Sequence, residues 1–371
     1  MINRLKVSNF KSLLEFELRD MRNFVCLIGL NGSGKTTVLQ FLDFMHSTLT
    51  GNVRAWLDMH KWRAHDLLNF EYKRKNVIEF EVDITTKNNV QYQWKARFNT
   101  QELRCTWENL YRNNEPYISY SDKQLKIYGD SSAKLPANFS FEGSALQFFK
   151  EDDFYKELFG VKKFGILNSN VISQASQTRS DVRDVDVGDD GHGLIGFISA
   201  LNKEDQEDLY KRIHQFYPPI REFNIKKQRF GWKSLLLSEL ERTYFDSSHL
   251  SDGTLRLFVI LSQLYSKNRT ILFDEIENGF NQEIIQKLLD VILNFNGKQV
   301  IVTTHSALVL NYLDDETAKS SVYILYKKGT STLARKFFES ELGKNLEYTN
   351  PGEIMSNLNL VEYTKQLISE E

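Results

Sequence analysis

The sequence predicts an α/β protein, with a core of buried strands alternating with helices, an inserted antiparallel β subdomain and a helical lid. Three observations predict it. Short apolar runs at residues 24–28, 270–273 and before Thr303 each end in a turn or in polar residues, as strands buried on both faces do. Helical spacing follows the first run: Val38, Phe41, Leu42, Met45 and Leu49 lie on one face, with Gly51 as a stop. Between residues 77 and 128 the rhythm changes to strict alternation, which marks sheet buried on one face only.

The chain has 371 residues, enough for a large core and one or two domains. Its 41% hydrophobic and 26% charged content is that of a globular protein, and no apolar run approaches the roughly 18 residues needed to span a bilayer. No charged segment with an apolar stretch opens it, so no signal peptide is expected. Two cysteines, Cys26 and Cys105, are too few for a disulfide framework or a zinc site, which fits a reducing cytoplasm. A net charge of −2 argues against a strongly basic nucleic-acid binder but leaves room for a local patch.

Taken in order, residues 4 to 20 read as a hairpin, with Leu5, Val7 and Phe10 before a turn near Lys11-Ser12 and Leu14, Phe16 and Leu18 after it. The first buried run then leads into Gly29-Leu30-Asn31-Gly32-Ser33-Gly34-Lys35-Thr36-Thr37. This is G-x-x-x-x-G-K-[ST], the phosphate-binding P-loop, between a strand and a helix N-terminus where backbone N–H groups and the helix dipole face an anion. Gly29, Gly32 and Gly34 let the backbone curl around phosphate. Asn31, Gly32, Ser33, Gly34 and Thr37 complete the cradle, Lys35 is placed for the β- and γ-phosphates, and the Thr36 hydroxyl for Mg²⁺. A chance match in a chain this long has odds of roughly one in a hundred, given glycine's usual frequency.

Residues 53 to 75 are basic and aromatic, including Arg54, Trp56, Lys61, Trp62, Arg63, Phe70, Lys73, Arg74 and Lys75. A nucleic-acid surface would use such a mixture; a solvated helical face beside core aromatics is the commoner outcome. The meander follows, with Ile78, Phe80, Val82 and Ile84, then Val90 to Phe98, then Leu103, Cys105 and Trp107 each taking the buried face. A helix is expected over 144–160 and a strand over 163–167. An aspartate-rich turn at 181–190 reads as solvated rather than as a second metal site. Helices near 193–201 and 204–216 end at Pro218-Pro219. Strands at 222–230 and 233–240 carry a second basic cluster, Lys226, Lys227, Arg229 and Lys233, again read as a solvated face.

The second half supplies the rest of a nucleotide site. Arg269 to Glu275 is an apolar strand ending in two carboxylates, the Walker B pattern: Asp274 would hold Mg²⁺ and Glu275 would orient the attacking water or accept its proton. Leu250-Ser251-Asp252-Gly253-Thr254 opens a helix. On its own it is a Ser251 N-cap with Gly253 relaxing the turn, although Ser-x-Gly at a helix N-terminus also suits an anion. His305 ends a further strand, either as a sensor of the γ-phosphate or as a buried, satisfied histidine.

These motifs, in this order and spacing, resemble the head of an ABC-type P-loop ATPase. Val7-Ser8-Asn9-Phe10-Lys11-Ser12 and Val187-Gly188-Asp189-Asp190-Gly191 are similar to the RecF, SMC and OLD branch rather than to transporter subunits. The resemblance implies one head over 1–371, with a nucleotide-binding core and helical signature region at 1–52 and 160–371 and an inserted β and lid subdomain at 53–159. It implies a homodimer sandwiching two Mg-ATP, with Ser251 and Gly253 acting in trans, His305 in cis with Glu275, and Glu277-Asn278-Gly279 at the dimer seam. The signature departs from the transporters' Ser-Gly-Gly-Gln, and the Q-loop glutamine has only candidates, Gln174 and Gln177. The 66 residues after His305 contain no D-x-D pair, so the nuclease chemistry of the OLD enzymes is not expected here. Heads of this kind resemble ATPase components of prokaryotic antiphage defence systems whose effector is a separate protein. The expectation is therefore an ATPase that uses ATP and Mg²⁺, switches between dimer states, and gates a partner effector or duplex DNA, with no membrane role. Two alternatives stand beside it: a RecF-like DNA-maintenance ATPase binding DNA through residues 54–75, and a structural module that binds ATP without hydrolysing it.

Overall fold

A computed structural model describes the chain except residues 72–74, 122–123, 130–133, 137–139, 165–185, 189–190, 228–232, 241–242, 340 and 371. The loop glutamines Gln174 and Gln177, most of the aspartate-rich turn, Lys73, Arg74 and Arg229 lie outside the described residues.

Two sheets enclose one helix. The first is antiparallel throughout. It comprises β1 (Ile2–Ser8), β2 (Phe16–Leu18), β4 (Val77–Thr85), β5 (Gln91–Asn99), β6 (Arg104–Arg112), β7 (Glu115–Ser121), β8 (Gln124–Ile127) and β9 (Lys134–Pro136), in the order β2-β1-β4-β5-β6-β7-β8-β9. The predicted meander is therefore present, and the opening hairpin pairs with it, Leu5 opposite Val82. In the hairpin it is Leu13, bridged to Phe10, that is buried, while Leu14 is half-exposed.

The second sheet comprises β3 (Phe24–Ile28), β10 (Val161–Phe164), β14 (Thr270–Phe273), β15 (Gln299–Thr303), β16 (Val322–Lys328) and β17 (Ser331–Lys336), in the order β10-β14-β15-β3-β16-β17. All its pairs are parallel except β16–β17. Its central strands are buried on both faces, which is why they read as unbroken apolar runs. Val25, Leu27, Leu272 and Ile301 face α1 (Lys35–Thr50) and the antiparallel sheet. Cys26, Ile28, Ile271, Phe273 and Val302 face the helices of the second half.

Helix α1 is consequently packed from both sides. Phe41, Phe44, Met45 and even Asp43 and Thr48 are buried, and Trp56 Nε1 donates to Asp43 Oδ2 at 2.6 Å. Gly51 ends the helix with φ 72°, its N–H turning back onto the Thr48 carbonyl. Lys11 lies over the Trp62 ring at 3.2 Å, and Trp56 and Trp62 pack against each other, so these aromatics serve the interior rather than a stacking surface.

Three expectations needed correction. The helix over 144–160 is a 3₁₀ turn at 145–148 and, after a break at Asp152 capping the next segment, a helix at 153–159. The strand expected over 163–167 begins earlier, at Val161, and is described as far as Phe164, with 165–167 outside the described residues. In β6, Cys105 faces Phe98 and Trp107 faces Arg97, so Thr106 is an extra residue in a bulge. The bulge flips the alternation: Cys105, Glu108 and Leu110 are buried and Trp107 is half-exposed.

Helices α4 (Leu194–Ala200), α5 (Lys203–Phe216) and α6 (Asp252–Leu264) cover the second sheet. A small antiparallel sheet, β11 (Glu222–Lys227), β12 (Lys233–Leu240) and β13 (Thr243–Asp246), packs with them. No helix among the described residues is long and apolar enough to cross a membrane.

Candidate nucleotide-binding site

The P-loop runs from the end of β3 to the first turn of α1. Gly29, Gly32 and Gly34 have φ of 140°, 77° and 108°, conformations that glycine reaches without strain. Crowding adds to this at two of them. A Cβ on Gly29 would lie 2.3 Å from the Leu325 carbonyl oxygen, and one on Gly34 would lie 2.4 Å from Thr332 Oγ1. At Gly32 the same direction is open space, as a loop that admits an anion needs. Asn31 and Gly32 are exposed; Ser33 is buried.

Lys35 folds over the loop, its Nζ donating to the Gly29 and Leu30 carbonyls at 2.9 and 3.0 Å. Burial lowers its pKa to about 8, against the opposing pull of Asp274, Glu275 and Glu277. A cation held this way is ready to exchange two carbonyls for phosphate oxygens.

Thr36 Oγ1 lies 3.2 Å from Asp274 Oδ1, although 238 residues separate them in the chain. Two oxygen donors side by side next to an anion cradle suit a hard divalent cation such as Mg²⁺. Thr303, at the end of β15, donates to the same Asp274 Oδ1 at 2.6 Å and accepts the Glu275 N–H at 2.8 Å. Glu275 adopts φ 49°, a left-handed conformation that a glutamate holds only when its surroundings enforce it. Thr303 ties its N–H, and Arg256 in α6 donates to its carbonyl at 2.7 Å. Burial lowers the Arg256 pKa, opposed by Glu277, Glu275 and Asp274.

His305 Nε2 lies 3.8 Å from Glu275 Oε1, with both side chains about one-third exposed. The buried-histidine alternative is therefore not what the fold builds; the imidazole faces the Glu275 carboxylate at the site's mouth. Its backbone N–H donates to Glu277 Oε1 at 2.8 Å.

Ser251 caps α6, its side chain accepting the Thr254 N–H at 3.2 Å. Gly253 packs on the turn after Walker B, where a Cβ would lie 2.7 Å from the Gly279 carbonyl oxygen. Among the described residues, no hydrogen bond joins Ser251 or Gly253 to the P-loop of the same chain. The fold thus gathers Lys35, Thr36, Asp274, Glu275 and His305, while Gly253 of the signature packs on the turn after Walker B. Thr303 and Arg256 were not singled out as site residues from sequence, and Glu277, expected at the dimer seam, here also accepts the His305 N–H. The only signal for Thr303 was its place at a strand end beside His305.

The fold and this site define an ABC-type ATPase of the RecF, SMC and OLD branch. Within that class, the chain belongs to the family described as "AAA domain, putative AbiEii toxin, Type IV TA system", whose model matches residues 24–311. It is 22% identical to the retron Vc95 probable ATPase of Vibrio cholerae, over 80% of this chain and 68% of that protein. It is also 22% identical to the OLD nuclease of Thermus scotoductus, over 83% of this chain but only 59% of that protein's length. Among solved structures it is similar to the SmcHead bound to the C-winged helix domain of ScpA, with a TM-score of 0.57, 12% identity and coverage of 90% and 96% of the two chains. An Smc head domain with an extended coiled coil, bound to the C-terminal domain of ScpA derived from Pyrococcus furiosus, has a TM-score of 0.51 and 12% identity over 90% and 95%. These two likenesses concern the fold.

Proposed function

We propose that the chain binds ATP with Mg²⁺ through residues 29–37 and Asp274, hydrolyses it with Glu275 and His305, and uses the cycle to switch between dimer states that gate a separate effector protein or duplex DNA in prokaryotic defence. The carrying observation is the convergence on one spot of Thr36, Asp274, Glu275 and His305 from two strand ends and a helix start. The bound metal would supply charge neutralisation at the phosphates. The chain's own groups do the rest. Lys35 and the loop N–H groups hold and orient phosphate. Glu275 directs the water and takes its proton, and His305 steadies that carboxylate. Ser251 and Gly253 would act on the nucleotide held by the P-loop of a second copy.

The family's toxin–antitoxin description and the retron ATPase relative support the defence setting. We place the inserted β and lid subdomain at 53–159; its antiparallel sheet also takes in β1 and β2 from the opening segment. Burial of Trp56 and its packing against Trp62 speak against base stacking by Trp56.

The test is steady-state ATP turnover with and without duplex DNA, alongside light scattering of Glu275→Gln. Wild type should turn over, and the variant should lose at least about a hundredfold in rate while gaining an ATP-dependent dimer. A variant that does neither rejects the proposal.

A further inference from the structure

Thr332, outside the motifs, touches the P-loop from another part of the fold. Thr332, in β17, is fully buried, and its Oγ1 lies 3.0 Å from the Ser33 carbonyl and 2.9 Å from Ser12 Oγ. A carbonyl only accepts, so the single Thr332 hydroxyl hydrogen goes to Ser33 and the Ser12 hydroxyl supplies the other bond. The Thr332 N–H also donates to the Ser12 carbonyl at 2.7 Å. Ser12 stands in the turn between β1 and β2. The three residues therefore join the antiparallel sheet, the edge of the second sheet and the phosphate loop at one point.

The contact is tight as well as polar. The Thr332 side chain fills the space beside Gly34, where an added Cβ would lie 2.4 Å from Oγ1 and 2.8 Å from the methyl carbon. Ser33 sits one residue before Gly34, and its N–H is already committed to the Leu30 carbonyl at 3.1 Å. With the N–H and the carbonyl of Ser33 both tied, the peptides on either side of it are fixed at the entrance to α1, and the N–H groups that follow keep their aim.

We propose that Thr332 is a positioning residue for nucleotide binding: its hydroxyl, oriented by Ser12, sets the P-loop backbone that receives phosphate. This rests on the nucleotide-binding reading above.

The experiment is calorimetric titration of the full chain with Mg-ADP, which needs no turnover, with thermal unfolding as the companion measurement. Thr332→Val keeps the shape and removes the hydroxyl; Thr332→Ser keeps the hydroxyl and removes the methyl group. The positioning role predicts that Thr332→Val weakens ADP about tenfold, the worth of one hydrogen bond, while Thr332→Ser stays within about twofold of wild type. Ser12→Ala should fall between them. A purely packing role predicts the reverse order, with Thr332→Ser the weaker binder, and would overturn the proposal. So would equal affinity for all four proteins. If wild type itself takes up no ADP, the nucleotide-binding reading fails first, and that is seen without any variant.

Discussion

Thr303 Oγ1 donates to Asp274 Oδ1 at 2.6 Å, so the carboxylate that faces Thr36 is aimed by a residue from the neighbouring strand. Parallel pairing of β14 with β15 sets Phe273 opposite Val302, which brings Asp274 and Thr303 to the same level at the strand ends. Groups that orient a metal ligand are commonly worth ten- to a hundredfold in metal affinity or activity. Thr303→Val should therefore lower Mg²⁺-dependent ATP turnover by at least about tenfold and shift the Mg²⁺ requirement upward, while Thr303→Ser stays near wild type. A magnesium titration of turnover reads both.

Gly253 presents no Cβ to the Gly279 carbonyl only because it is glycine. Alanine there would meet backbone at 2.7 Å, and neither α6 nor the turn after Walker B can yield cheaply. Gly253→Ala should cost about 1–3 kcal/mol of stability and displace the turn that carries Glu277. Denaturant unfolding and turnover, measured on the same preparation, should both fall.

Glu108 is the buried acid that the β6 bulge turns inward. Burial raises its carboxyl to about pH 7, against hydrogen bonds from Ser144, the Ala145 N–H, Trp94 and Cys105. A carboxyl raised above the 4.5 of a free glutamate binds a proton more tightly in the folded state. Stability from this group is thus full below about pH 4.5 and is lost as pH rises to about 7, a change of about 3 kcal/mol. Glu17 runs the opposite way: bonding to Arg19 and Arg4 lowers it to about 2, so its contribution is lost only as pH falls from about 4.5 towards 2. The windows do not overlap. Urea unfolding of Glu108→Gln should lack the slope between pH 4.5 and 7 that wild type shows, and keep the acid slope.

Gln299 is a buried clamp between the sheets. Its Oε1 accepts the Ile2 N–H at 2.9 Å and the Thr270 hydroxyl at 3.2 Å, and its Nε2 donates to the Ile2 and Arg22 carbonyls at 2.8 and 2.9 Å. Leucine would strand several of these groups at roughly 1–3 kcal/mol each. Gln299→Leu should cost at least about 3 kcal/mol in denaturant unfolding; a loss under about 1 kcal/mol would show that β1 is anchored elsewhere.

Much of the architecture was legible because its signals are short-ranged. The meander's alternation, the apolar strand runs, the N-caps of α6 and the glycine end of α1 each depend on residues within a few positions. What misled was also local: one bulge residue, Thr106, moved Trp107 off the buried face and put a glutamate there, and no pattern of apolar residues announces a bulge.

The sequence by itself determined the P-loop, the paired acids Asp274 and Glu275, the Ser251 cap and the strand-end His305, since each is a spacing within one element. Only the tertiary structure decided what holds them. Thr303 reaches Asp274 across 29 residues, Arg256 reaches Glu275 across 19, Gln299 reaches Ile2 across 297, and Thr332 reaches Ser33 across 299. Such partners are chosen by strand order and register, and those follow from burying the whole chain's apolar surface at once.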